Sequence, residues 1–128
     1  MRSDDRAVVH ATRDIAKGEE LLTTYTDTLV PRQDRQAYLK KVYNFDCTCQ
    51  ACSRSAEESK KSDNRMREHR RLMDKFASWS QGKIGGQEAI NTAKRIWDIR
   101  YNEEKPPYAS TKGQLLADMA HVCAAHSA

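Results

Sequence analysis

No apolar run in this chain approaches the ~18–20 residues that a membrane-crossing helix needs. The opening stretch, MRSDDRAVVHATRD, has no apolar core of the kind a secretory signal carries. Both absences lead to the expectation of a protein of the cytoplasm or nucleus, with no membrane partner. Apolar residues are scarce as well, at 38% of the total where ~45–50% is ordinary for a globular domain. The mean hydropathy of −0.87 agrees, so a chain of 128 residues can bury only a modest core. A second closely spaced cysteine pair of finger type is missing, and no aromatics interleave with the basic residues. Nucleic acid therefore ranks low among the partners.

What charge there is falls unevenly. Residues 1–52 hold 8 Lys and Arg against 8 Asp and Glu, whereas residues 53–128 hold 14 against 10, so the whole net charge of +4 lies in the second part. Its densest run is Lys60, Lys61, Arg65, Arg67, Arg70, Arg71 and Lys75. Interleaved acids (Asp63, Glu68, Asp74) favour a solvated helix face; an acidic peptide partner for the helical region is the functional alternative.

Residues 7–12 (AVVHAT) and 20–25 (ELLTTY) read as two strands, rich in β-branched residues and joined through the turn DIAKG. Pro31 opens a helix over 32–43 that sets Arg35, Tyr38, Leu39 and Val42 on one face. Residues 53–61 are polar and read as a linker. Three helical patterns follow within 62–128. The first carries Met66, Met73, Phe76, Ala77 and Trp79, and the glycines at 82, 85 and 86 end it. The second carries Ala89, Ile90, Ala93, Ile96, Trp97 and Tyr101, and Pro106 and Pro107 stop it. The third carries Leu115, Leu116, Met119, Val122 and Cys123, with Thr111 and Gln114 spaced as a capping box. Their packing is expected to be of the tetratricopeptide type, although no 34-residue repeat is visible. The expected fold class is α+β: a hairpin, a short helix, a cysteine turn and a three-helix bundle.

The chemistry is concentrated in Cys47-Thr-Cys49-Gln-Ala-Cys52, a C-x-C-x-x-C pattern. Where thiols are kept reduced, cysteines this close together bind metal rather than pair as disulfides. Three thiolates from one tight turn suit tetrahedral zinc, which takes a fourth ligand. Cys123 reads as a buried core thiol, and none of His10, His69, His121 and His126 sits at ligand spacing from the cluster. The fourth ligand is expected from a segment preceding Met1.

Ala11 to Asp27 (ATRDIAKGEELLTTYTD), then Asp34-Arg35, then Tyr43-Asn-Phe45-Asp-Cys47-Thr-Cys49-Gln-Ala-Cys52 together resemble the closing part of a SET-domain protein-lysine methyltransferase with its post-SET cysteines. The order and spacing are most similar to the SET-and-MYND class and its fungal relatives. The resemblance implies that residues 1–46 form the C-terminal part of a SET domain, 47–52 the post-SET zinc motif and 62–128 a helical region. It implies that Tyr25 is the tyrosine at the methyl-transfer point, touching the methyl donor as well. Tyr43 would line the substrate-lysine channel, Phe45 would pack on the adenine of S-adenosylmethionine, and Cys47, Cys49 and Cys52 would hold structural zinc. Substrates would be lysines of histone or non-histone proteins.

The family's earlier Gly-x-Gly and Asn-His-Ser-Cys segments have no counterpart here. The chain by itself is accordingly expected to be inactive and to bind the methyl donor poorly. The competing expectation is a non-catalytic, zinc-containing helical module that binds other proteins.

Overall fold

The computed structural model describes residues 8–11, 13–21, 23–104 and 112–126. Helix α1, Arg32–Tyr43, starts behind Pro31, whose carbonyl accepts the Arg35 N–H at 3.1 Å. Asp34 in its first turn and Lys40 and Lys41 in its last lie at the ends where the helix dipole favours their charges. Asn44 ends it in the left-handed region (φ 54°, ψ 36°), with its N–H donating to Lys40 O at 3.0 Å. Asparagine tolerates that conformation better than most residues.

Helix α2, Ala56–Ala77, opens on a full capping box: Ser55 Oγ accepts from Glu58 N at 3.3 Å, and Glu58 Oε2 accepts from Ser55 N at 3.1 Å. A short 3-10 turn, Ser78–Gln81, follows and closes on Gly82 at φ 70°. Helix α3, Gly86–Trp97, runs on through a π-helical turn, Asp98–Glu103, and helix α4 spans Lys112–His126. Helix α3 is the central element, packed on α2 to one side and α4 to the other. Its stripe of Ala89, Ala93 and Ile96 is fully buried. Two alanines on that stripe let the neighbouring backbones come close, and Phe76, Leu115 and Val122 fill the remaining space. Leu72, Trp79, Trp97 and Met119 cover the rim of this core.

The α+β expectation is overturned. Among the described residues no strand forms, and every regular element is helical. The turn of the anticipated hairpin is there: Gly18 adopts φ 84°, Glu19 N donates to Ala16 O at 3.0 Å, and Arg13 pairs with Glu19. The arms do not pair. Val8, Val9 and Leu21 are 71%, 91% and 74% exposed, so neither arm has an apolar surface to pack against. A two-stranded ribbon without a covered face is marginal in water, which is the physical reason for its absence here. Ala7, Thr12 and Leu22 lie outside the described residues, as do Thr111, Pro106 and Pro107.

Two local readings also change. The polar stretch 53–61, read as a linker, supplies the cap and first turn of α2. Cys123, read as a buried thiol, is exposed, and the inward position beside it belongs to Val122, 1% exposed.

Candidate metal centre and tyrosine cluster

Past the Asn44 cap the chain turns out of α1, and Lys40 Nζ meets Asp46 at 2.8 Å across that corner. The next six residues fold into a tight knuckle. Cys52 N and Ser53 N both donate to Cys49 O at 2.9 Å, and Ser53 Oγ donates to Thr48 O at 2.9 Å. These bonds turn the three side chains toward one point, and the sulfurs of Cys47, Cys49 and Cys52 lie within 4.8 Å of one another. Thiolates about 2.3 Å from a tetrahedral zinc stand roughly 3.8 Å apart, so small rotations bring all three to one ion. The donor set and its spacing therefore fit a metal ion of zinc type.

The three thiols are not equivalent. Partial burial opposes ionisation of Cys49, but N–H donors of Cys52 and Ala51 and the neighbouring thiols outweigh it and lower its pKa below the ordinary value. Cys52, 2% exposed, is pushed up to about 11, first by burial and then by its Cys49 and Cys47 neighbours. A hydrogen bond from Arg35 works against that rise.

Arg35 is the residue that sequence reading undervalued. It was read as one member of a helix face; it is 8% exposed, and its Nη1 donates to Val30 O at 2.5 Å. One side chain thus ties α1 to the segment that precedes it. The signal was an arginine one turn from Leu39, on the buried side of the helix.

The segment that Arg35 holds carries Tyr25. Thr24 Oγ1 donates to Thr26 O at 2.6 Å, and Asp27 Oδ1 accepts from Leu29 N at 2.8 Å, so the chain is folded locally around the tyrosine. Its ring meets that of Tyr43 edge-on, with centroids 5.3 Å apart and planes at 61°. Tyr43 in turn meets Tyr38 at 6.2 Å and 68°. The structure therefore brings Tyr25 and Tyr43 together, although 17 positions separate them, and adds Tyr38 as a third ring. All three stay about half exposed. Phe45 is 40% exposed and lies beyond the Asn44 corner, outside this ring contact.

Behind the knuckle, Arg54 begins an ion network. Glu104, at the end of the π-helical turn, accepts from Arg54 Nη1 at 3.1 Å, Ser62 Oγ at 3.0 Å and Arg65 Nε at 2.5 Å. Burial pushes this carboxyl up; the bonds from Arg54, Arg65 and Ser62 outweigh it and hold its pKa below the usual value. Arg95 lies between Glu68, at 2.8 Å, and Glu103. His69 is 5% exposed with no partner for Nε2, and burial followed by the charge of Arg100 lowers its pKa, while Asp27 opposes them.

A three-cysteine knuckle that follows a tyrosine ring pair in the chain is the site the geometry defines. Comparison with known proteins gives the chain relatives. The chain is 47% identical over 49 residues to histone-lysine N-methyltransferase set5 of Schizosaccharomyces pombe, covering 38% of this chain and 15% of that protein. It is 41% identical over 68 residues to N-lysine methyltransferase SMYD2-B of Xenopus laevis, covering 53% and 15%. It is 40% identical over 53 residues to human histone-lysine N-methyltransferase SMYD1, covering 41% and 11%. Over part of its length this chain is thus homologous to set5- and SMYD-type lysine methyltransferases. The matched segment spans no more than about 15% of the length of these relatives. No family model matches the chain, and no solved structure does.

Proposed function

We propose that this chain is the C-terminal catalytic-wall portion of a protein-lysine N-methyltransferase of the SET family, acting on lysines of histone or non-histone proteins in the nucleus or cytoplasm. The observation that carries the reading is the ring contact of Tyr25 with Tyr43 just ahead of the three-cysteine knuckle in the chain.

S-adenosylmethionine, when bound, supplies an electrophilic methyl group on a sulfonium sulfur. The protein's task is to deliver a neutral lysine amine in line with it. A lysine with its ordinary pKa of about 10.4 is protonated at neutral pH and cannot attack. Aromatic walls remove water from around the ammonium and favour the neutral form. In this reading Tyr25 and Tyr43, whose rings meet edge-on at 61°, would supply part of that wall and help to set the line of the side chain. The Tyr25 hydroxyl would accept a hydrogen bond from the amine and steady the polarised methyl group. Phe45, with an exposed ring, offers a face for the donor's adenine. Cys47, Cys49 and Cys52 would hold zinc, which keeps the corner bearing Tyr43 and Phe45 folded and takes no part in the chemistry.

The test uses the natural product of the gene that encodes this chain, tagged at its C-terminus and purified from its own cells. With S-adenosylmethionine carrying a labelled methyl group, transfer to protein lysines is expected, and Tyr25→Phe should abolish it or change the number of methyl groups added. Absence of transfer from a folded, zinc-loaded product sinks the proposal.

The second reading, a non-catalytic module that binds proteins, has one observation in its favour. The core of α2, α3 and α4 is complete without any residue of 8–52. In that reading the basic helical region meets an acidic peptide.

A further inference from the structure

Between α1 and α2 lies a groove of about 540 Å³, within the range typical of ligand pockets. Its walls are Arg32, Gln33 and Gln36 from α1, and Ser59, Lys60, Asp63, Asn64 and Arg67 from α2, with Ala56 at one end. Three cations thus face one acid. That acid is already engaged, because Asp63 Oδ1 accepts the Arg32 backbone N–H at 2.8 Å. Arg32 Nη1 donates to Ser59 Oγ at 3.3 Å, which points its guanidinium along the groove, while its Nε is buried with no acceptor. A buried guanidinium donor without a partner is costly to leave unsatisfied. Asp63 is the one acid among the lining residues against three cations, so the groove keeps an excess of positive charge, and amide side chains line it as well.

The geometry points to a docking groove for an acidic, extended peptide, with carboxylates on Arg32, Lys60 and Arg67 and peptide amides on Gln33, Gln36 and Asn64. A nucleic-acid strand fits less well. No aromatic lines the groove for bases to stack on. The inference gives the acidic-peptide reading of the helical region a definite place, and it stands apart from the methyltransferase assignment because it uses neither the tyrosines nor the cysteines.

The test is fluorescence anisotropy of fluorescein-labelled hexaglutamate on the full chain, beside hexaglutamine and an oligothymidylate of equal length. Hexaglutamate should bind, weaken as salt rises, and outcompete both controls. The double reversal Lys60→Glu, Arg67→Glu changes two exposed residues of α2 that line the groove. It should weaken binding by about tenfold or more. Arg70→Glu, Arg71→Glu changes charge equally at exposed positions of the same helix that do not line the groove. It should keep most of the affinity. Circular dichroism confirms that both variants retain their helices. Equal losses in the two double variants would overturn the groove while leaving a general basic face. No binding of hexaglutamate, or preference for oligothymidylate, would overturn the acidic-peptide reading altogether.

Discussion

Replacing Glu104 with glutamine removes one negative charge from a carboxylate that three donors share. The shape of the side chain is kept, so the change isolates the charge. Arg54, Ser62 and Arg65 each lose an ionised acceptor. Hydrogen bonds to a charged group are worth ~1.5–3 kcal/mol. The side chains of Arg54 and Arg65 are 30% and 27% exposed, so water recovers part of what they lose. The expected cost is about 2–3 kcal/mol at neutral pH. For a chain of this size that is a fall of roughly 6–15 °C in Tm, read by far-UV circular dichroism at 222 nm. The same measurement across pH gives the sign. The folded-state pKa of Glu104 lies below its unfolded value, so its contribution is present above about pH 4.3 and fades as pH falls through the depressed folded value. The gap between wild type and Glu104→Gln should therefore close in acid. A Tm unchanged within about 2 °C at pH 7, against the several degrees expected per kcal/mol, would refute the account of the network. So would a gap of constant size from pH 7 down to pH 3.

Further outcomes follow from the same structure. The chain should hold about one zinc or cobalt(II) ion, with thiolate charge-transfer absorption for cobalt, and Cys49→Ser should weaken that binding by about tenfold or more; no metal uptake by the reduced wild-type chain would remove the metal centre. Ile96→Ala empties a fully buried position and should cost about 2–5 kcal/mol in urea denaturation. Gly86→Ala sets a methyl group 2.2 Å from the His126 ring. The ring should swing away and break the 3.0 Å bond from Trp79 Nε1, shifting tryptophan emission to the red. His69, with a folded pKa below its unfolded value, binds its proton more readily in the unfolded chain. Stability should accordingly fall as pH drops below about 6.5, and His69→Gln should flatten that slope.

The clustering of the three cysteines was legible because they are close in sequence: C-x-C-x-x-C needs only a local turn, and the structure supplies one. Helix α1 was legible from Pro31 and from the spacing of Arg35 and Leu39. The hairpin was misread because strand propensity at Val8, Val9 and Leu21 reports a preference that only a neighbouring sheet can realise. The start of α2 was missed for the opposite reason. Its first turns are polar, so no apolar stripe marks them, and the Ser55–Glu58 capping box was the cue to use. Cys123 was placed inward because a stripe that includes both Val122 and Cys123 is wider than the face α3 covers; the packing chose Val122. The inward bond of Arg35 was beyond reach, since no pattern announces that its guanidinium turns back to the Val30 carbonyl.

The wide turn after α3 sets a phase. An α-helix advances about 100° per residue, and one extra residue in a turn rotates everything beyond it by that amount. Here Glu104 N donates to Ile99 O at 3.0 Å, a span of five residues instead of four. Ile99 still points into the core at 0% exposure, and Glu104 still meets Arg54 and Arg65 on α2. A single-residue deletion within Asp98–Glu103 would restore the ordinary pitch and carry the carboxylate roughly a quarter turn or more away from both arginines. The anchor of the segment that follows the cysteine knuckle is thus set by the width of one helical turn some fifty positions downstream.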